Sequence, residues 1–272
     1  TAQSLDTVSK GRFNMGLGVS GPQVVEGLHG ASFAKPLSRL RECVAILRMA
    51  LNGEKLHYEG EHYVVPRPGG EGKPIRLSQP PRPNLPIYLA TLGPKSLQMT
   101  GEVADGSLGT CFMPEAGHVF LDDLAAGAKR AGRSLKDIDI HTGGYFEVSD
   151  DVERLVADRK PAMAFTLGAM GSAKTNFYND AYCRAGYEDD AKAVQSLWIE
   201  GKRDQAIARV PDEMVLLTNF IGTEEMVRAR LRAFRDAGVN TIGLNTGGKS
   251  WTERTAALEE AADLVLNETA NW

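Results

Sequence analysis

Five times along this chain a short apolar stretch runs into a loop of small residues and then into a run with helical spacing. The apolar stretches are residues 12–19, 86–90, 105–110, 138–148 and 239–245. The helical runs that answer them are 36–51, 94–104, 114–132, 223–237 and 251–266. In the first of these, Leu37, Leu40, Val44, Leu47 and Leu51 recur at three and four residues, the period of an amphipathic helix. Strand and helix in alternation predict a parallel sheet clothed by helices, since parallel neighbours need a crossover between them. Two stretches interrupt the rhythm, at about 53–85 and 149–220. The first holds a hairpin-like segment at 56–65 and seven prolines between Pro66 and Pro86, which predicts an irregular surface loop. The second reads as helices at 151–160, 174–185 and 189–200, without a strand.

Residues 12–30, RFNMGLGVSGPQVVEGLHG, are the most glycine-rich part of the pattern. Phe13, Met15, Leu17 and Val19 alternate as in a strand, and Ser20-Gly21-Pro22 stops it. The glycines at 16, 18 and 21 match the dinucleotide fingerprint. That fingerprint needs a helix opening within the motif and an acidic residue at the end of a second strand. No helical pattern is legible before Pro36, and Glu42 falls inside a helical run, so the fingerprint is set aside. The bland alternative is a barrel strand whose glycines serve packing alone. Further on, Thr142-Gly143-Gly144 predicts a bend in the fourth strand.

A hydrophobic fraction of 42% in 272 residues suffices for one large α/β domain. The net charge of −4, with no long basic run, argues against nucleic acid as a partner. No apolar run approaches the roughly 18 residues of a membrane span, and no signal peptide is visible. Cys43, Cys111 and Cys183 are odd in number and far apart, which fits free thiols and a cytoplasmic location. The five histidines are scattered, so no metal site is expected. Residues 1–9 read as the last turns of a helix, and the chain opens on Thr1. We therefore expect an N-terminally incomplete domain.

Several motifs together resemble the bacterial luciferase-like family, nearest its branch of oxidoreductases that use the deazaflavin coenzyme F420. They are GRFNMGLGVSGPQVVEGLHG, KPLSRLRECVAILR, YEGEHYVVP, PIYLATLGPKSLQMTGEVADGSLGT and GAMGSAKTNFYND, in family order and across the whole chain. The resemblance implies a (β/α)8 TIM barrel, here lacking about its first three βα units. It implies one domain over residues 1–272, with the two interruptions as insertions. It implies hydride transfer between F420 and a small organic substrate, and a homodimer. An FMN-dependent monooxygenase is the rival enzyme, and a non-catalytic cofactor-binding fragment the rival of another class. In the family, the first strands supply much of the ring pocket and often the residue that handles the proton.

The candidate site residues follow the strand ends. Ala90, Thr91, Leu92, Gly93, Pro94 and Lys95 form a strand-to-helix turn. Free N–H groups at a helix start and the positive end of its dipole favour an anion. An ordinary turn with a solvated lysine is the equal alternative. By resemblance, Gly93, Pro94 and Lys95 hold the coenzyme phosphate. By resemblance also, Ser20, Gly21, Gln23 and Val24 line the cofactor pocket, as do Gly109 and Thr110. Glu26 and His29 are weak candidates for proton transfer, against a surface ion pair and an exposed imidazole. Cys111 lacks an identifiable base and is not expected to be a nucleophile. Residues 245–249, NTGGK, make a rival anion site after the last strand. Lys174, Asn176 and Tyr178 either touch a ligand or pack helices. Lys95, Lys174 and Lys249 are candidates for the anionic F420 tail.

Overall fold

A computed structural model describes residues 1–172 and 175–270. The chain divides into two compact units. One is Thr1–Leu108 with Asp123–Ile138; the other is Gly109–Asp122 with the described residues from Asp139 on.

In the first unit, helix α1 (Ala2–Val8) ends where Lys10 and Gly11 adopt φ of 56° and 80°, so the expected helix stop is present. Strand β1 (Met15–Gly18) follows, shorter than the 12–19 read from the sequence. Met15 and Leu17 pack on the core while Gly16 and Gly18 stay exposed, the period of two that the alternation predicted. A correction comes next: a helix, α2 (Pro22–Val25), opens directly after Gly21, where no helix was legible. Four residues give no hydrophobic period to read. Helix α3 spans Pro36–Leu51 as expected, with Leu40, Val44 and Leu51 buried. Strands β2 (Tyr58–Glu59) and β3 (Val64–Val65) form the antiparallel hairpin. The proline-rich loop then leads to β4 (Ile87–Ala90), α4 (Pro94–Val103) and β5 (Gly106–Leu108). Strand β4 pairs in parallel with both β1 and β5, in the registers Gly18↔Ala90 and Ala90↔Leu108. Its residues Ile87 and Leu89 are fully buried, joining Leu40, Val44 and Met99 in one core.

Glu42 is buried on α3, off the apolar stripe of Leu37, Leu40, Val44, Leu47 and Leu51. Its carboxylate accepts the N–H groups of Glu61, His62 and Tyr63 at 2.9, 3.0 and 2.9 Å. Burial raises its pKa, but these three bonds outweigh that and hold it below 4.5. One charged group thus ties the hairpin to α3. Helix α5 (His118–Arg130) begins in the second unit and ends in the first. There Gly127 crosses α4 so closely that a Cβ would stand 1.8 Å from the Gln98 carbonyl oxygen.

In the second unit, β6 (Asp139–Val148) pairs in parallel with β7 (Phe220–Gly222) over 146–148 and with β8 (Thr241–Thr246) over 141–146. Residues 142–144, where a bend is expected, lie within one unbroken strand. Glycine is needed at 143 by close approach: a Cβ there would stand 1.8 Å from the Gly243 carbonyl oxygen of the neighbouring strand. Strand β7 corrects the count of five, because it lies between the helices read up to residue 200 and the helix read from 223, where no strand was read, and brings the strands of the main sheet to six among the described residues. Three wholly buried residues leave no alternation to detect. Between β6 and β7 run α6 (Val152–Ala169), α7 (Phe177–Tyr182), α8 (Glu188–Ile199), α9 (Arg203–Arg209) and α10 (Asp212–Leu217). Helix α6 passes through Pro161, where the sequence reading stopped it. Proline removes one internal bond, and Pro161 faces solvent. Helix α11 (Glu224–Asp236) is capped by the Thr223 hydroxyl, which accepts from Met226 N, and α12 (Trp251–Thr269) closes the chain. Phe220 and Phe234 meet at 4.7 Å between ring centroids and Phe112 joins Phe234 at 5.6 Å, fixing α11 to β7.

Candidate cofactor site

Parallel pairing with Gly18 opposite Ala90 makes the chain leave β1 and β4 at the same level. Both exits are built alike. Gly21 and Gly93 are extended N-caps, with φ, ψ of −130°, 164° and −83°, 156°. Each is followed by a proline, Pro22 or Pro94, at the first helical position, where a missing N–H costs nothing. Neither helix start carries a side-chain cap or an acidic residue in its first turn. The repeat Ser-Gly-Pro-Gln and Leu-Gly-Pro-Lys was visible in the sequence, but its meaning depends on the two strands being neighbours.

The start of α4 is the more complete of the two. The Lys95 and Ser96 N–H groups make no hydrogen bond among the described residues, and the first helical bond is Leu97 N to Gly93 O at 2.9 Å. Side-chain hydroxyls below are used internally. Ser96 Oγ donates to Gly93 O at 2.7 Å, and Thr100 Oγ1 donates to Ser96 O at 3.0 Å. Thr100 has then spent its proton, so Thr91 Oγ1 donates to it across 2.8 Å. Thr91, Ser96 and Thr100 are buried, whereas Ala90 and Lys95 are exposed. The donors left over are backbone N–H groups at the positive end of a ten-residue helix, with a lysine beside them. That set fits a phosphate.

At the β1 exit, Ser20 is held at φ 57°, a left-handed conformation uncommon outside glycine, and Gln23 and Val24 are exposed. Glu26 Oε1 accepts Phe33 N at 3.1 Å and so ties down the loop that follows. His29 is exposed. In the second unit, Gly109 N donates to His141 O at 2.6 Å, which leaves Thr110 exposed. Cys111 turns inward at φ 58°, and burial pushes its thiol up to about 11, partly offset by hydrogen bonds to Tyr182 and Thr110. A thiol of that kind is no nucleophile near neutrality.

The rival anion site after β8 is already filled by the protein. Glu253 Oε2 accepts Lys249 N at 2.6 Å, and Ser250 Oγ accepts Glu253 N at 3.2 Å. A carboxylate at that helix start repels a second anion, so NTGGK is corrected to a capping segment. Asn176 also has a structural task. Its Oδ1 accepts Tyr178 N and Asn179 N to cap α7, and its Nδ2 donates to Thr166 O and Leu167 O. Burial raises the Tyr178 pKa. Lys174 lies outside the described residues. No group of three or more His, Cys, Asp or Glu side chains placed to hold a metal occurs among the described residues. No helix among them is long and apolar enough to cross a membrane.

The luciferase-like monooxygenase family matches residues 1–241, most of the chain. This chain belongs to that family. A Mycobacterium tuberculosis protein with the provisional name coenzyme F420-dependent oxidoreductase is 36% identical over 265 residues, covering 94% of this chain and 76% of that protein. The 5,10-methylenetetrahydromethanopterin reductase of Methanolobus tindarius is 29% identical over 241 residues, covering 88% of this chain and 69% of the reductase. The coenzyme F420-dependent tetrahydromethanopterin reductase of Methanopyrus kandleri superposes with a TM-score of 0.73 at 21% identity, covering 98% and 76% of the two chains. That structure shares the α/β fold of this chain with its mainly parallel sheet.

Proposed function

We propose that this luciferase-like protein is an oxidoreductase that moves a hydride between coenzyme F420 and a small organic substrate. The observation that carries the reading is the pair of uncapped, acid-free Gly-Pro helix starts at the matched ends of β1 and β4. When bound, F420 supplies the hydride chemistry. The chain's own part is binding and orientation. The N–H groups of Lys95 and Ser96 and the Lys95 ammonium hold the coenzyme phosphate, while Gly93 lets it approach the backbone. Ser20, Gly21, Gln23 and Val24 line the pocket at the next strand end. The buried hydroxyls of Ser96, Thr100 and Thr91 keep the α4 start in one geometry before the anion arrives. The relative named for F420 at 36% identity supports the choice of coenzyme. We further propose a complete eight-unit barrel for the functional protein, a homodimer, and a cytoplasmic location.

FMN ends at its phosphate, whereas F420 continues into an anionic tail. A fluorescence titration with each coenzyme therefore tests the reading. F420 is expected to bind more tightly than FMN, and salt to weaken the excess. Tighter FMN binding would promote the monooxygenase reading that the family name carries. Absence of binding by either coenzyme would reject both.

A further inference from the structure

Between β1 and α3, apart from the α4 helix start, lies a cavity of about 200 Å³. Val19, Val25, Phe33, Pro36 and Leu40 give it an apolar lining. Its roof is a fixed loop rather than a loose flap: Ala31 N donates to Val25 O at 3.0 Å, Phe33 N to Glu26 Oε1 at 3.1 Å, and Ala34 N to Ser32 Oγ at 3.2 Å. An apolar cavity of roughly 150 Å³ holds a molecule of benzene, so this one takes a single small ring or a short branched chain.

Its charge is one-sided. Arg39 is the one ionised residue of the lining, and no carboxylate joins it there. Arg39 Nε donates to Ala34 O at 3.1 Å, which orients the guanidinium, and its two terminal nitrogens make no hydrogen bond among the described residues. Glu61, whose carboxyl feels the Arg39 charge, is already bonded to Lys35. A planar fork of two free donors suits a carboxylate, and a cation with no carboxylate in hydrogen-bond contact beside apolar walls favours an anion with an apolar body. We propose that this cavity binds a small organic acid with a compact apolar body, an aromatic or branched short-chain carboxylate, with its carboxylate on Arg39. The proposal does not rest on the coenzyme reading, because no coenzyme enters its test.

Cys43 also lines the cavity and reports on it. Cys43 and Cys183 are both partly accessible and Cys111 is buried, so Cys183 serves as the internal control. The experiment follows alkylation by N-ethylmaleimide, resolved by peptide mass spectrometry, against rising 4-fluorobenzoate or 4-fluorobenzamide. Benzoate should slow modification of Cys43 at least fivefold and leave Cys183 unchanged, while the neutral amide protects at least tenfold more weakly. The fluorine resonance of 4-fluorobenzoate should broaden in parallel. In Arg39→Gln the benzoate midpoint should rise about tenfold, and Arg39→Lys should fall between. Equal protection by acid and amide in the unaltered protein would overturn the assignment. So would no protection of Cys43, or a folded Arg39→Gln that binds benzoate unchanged.

Discussion

Lys95 is an exposed side chain with no ion-pair partner among the described residues, so its removal leaves no buried group there unsatisfied. Lys95→Ala should weaken F420 binding by about 1–3 kcal/mol, the size of one charge-assisted hydrogen bond, with the melting temperature unchanged. Coenzyme fluorescence and a thermal melt together check this. Thr100 is fully buried and acts one step back. Thr100→Val removes the donor to Ser96 O and the acceptor for Thr91, and should cost roughly 1–3 kcal/mol of stability. It should also loosen coenzyme binding, and Thr100→Ser should restore both. A Thr100→Val protein that is less stable yet binds F420 normally would make the hydroxyl chain a matter of folding alone. Sequence reading named Lys95 because lysine after Gly-Pro is a visible signal. It did not name Thr100, five residues on, because a threonine inside a helix looks the same whether its hydroxyl serves the turn or not.

At the scale of elements, the start of α4 offers a test in which two effects have opposite signs. A carboxylate in the first turn stabilises an uncapped helix by about 0.3–1 kcal/mol, and the same charge repels a bound phosphate. Lys95→Glu should therefore raise or preserve the melting temperature while abolishing F420 binding. A variant that binds F420 as before would remove the phosphate from this helix. The lock between α3 and the β2–β3 hairpin gives a pH prediction. Glu42 has a folded pKa below its ordinary 4.5, so its contribution is complete above that value and is lost as pH falls through the lowered one. Glu42→Gln should flatten the acid limb of stability against pH, measured by chemical unfolding between pH 3 and pH 7 on the order of the ordinary carboxylate range. An acid limb unchanged in the variant would show that other carboxylates set it.

For the whole molecule, the outward face of α12 is the conspicuous surface. Trp251 is 83% exposed, Leu258 51% and Leu266 66%, and the three share one side of that helix by spacing. An apolar stripe left in water promotes association. The chain should therefore sediment as more than a monomer at micromolar concentration and bind an apolar dye. Leu258→Lys with Leu266→Lys should shift it toward monomer and reduce dye binding without loss of helix content. Sedimentation as a monomer before any substitution would refute this.

The sequence by itself determined the class of fold, through the alternation of period-two and period-3.6 stretches. It also located the site loops, because glycine and proline mark where strands end and helices begin. Helices α3, α4, α11 and α12 and strand β4 were all legible on that basis within a few residues. Tertiary structure decided the rest. Strand β7 has only three residues, all buried, and exists because β6 offers it a partner at 146–148. Gly143 is required by the approach of Gly243, a reason that needs the neighbouring strand. The choice between two anion sites fell to side-chain direction: Glu253 turns back onto the start of α12, while the first turn of α4 holds no acidic residue. Local pattern fixes what each segment can be. Which backbone donors remain free for a ligand depends on what the folded chain brings back to meet them.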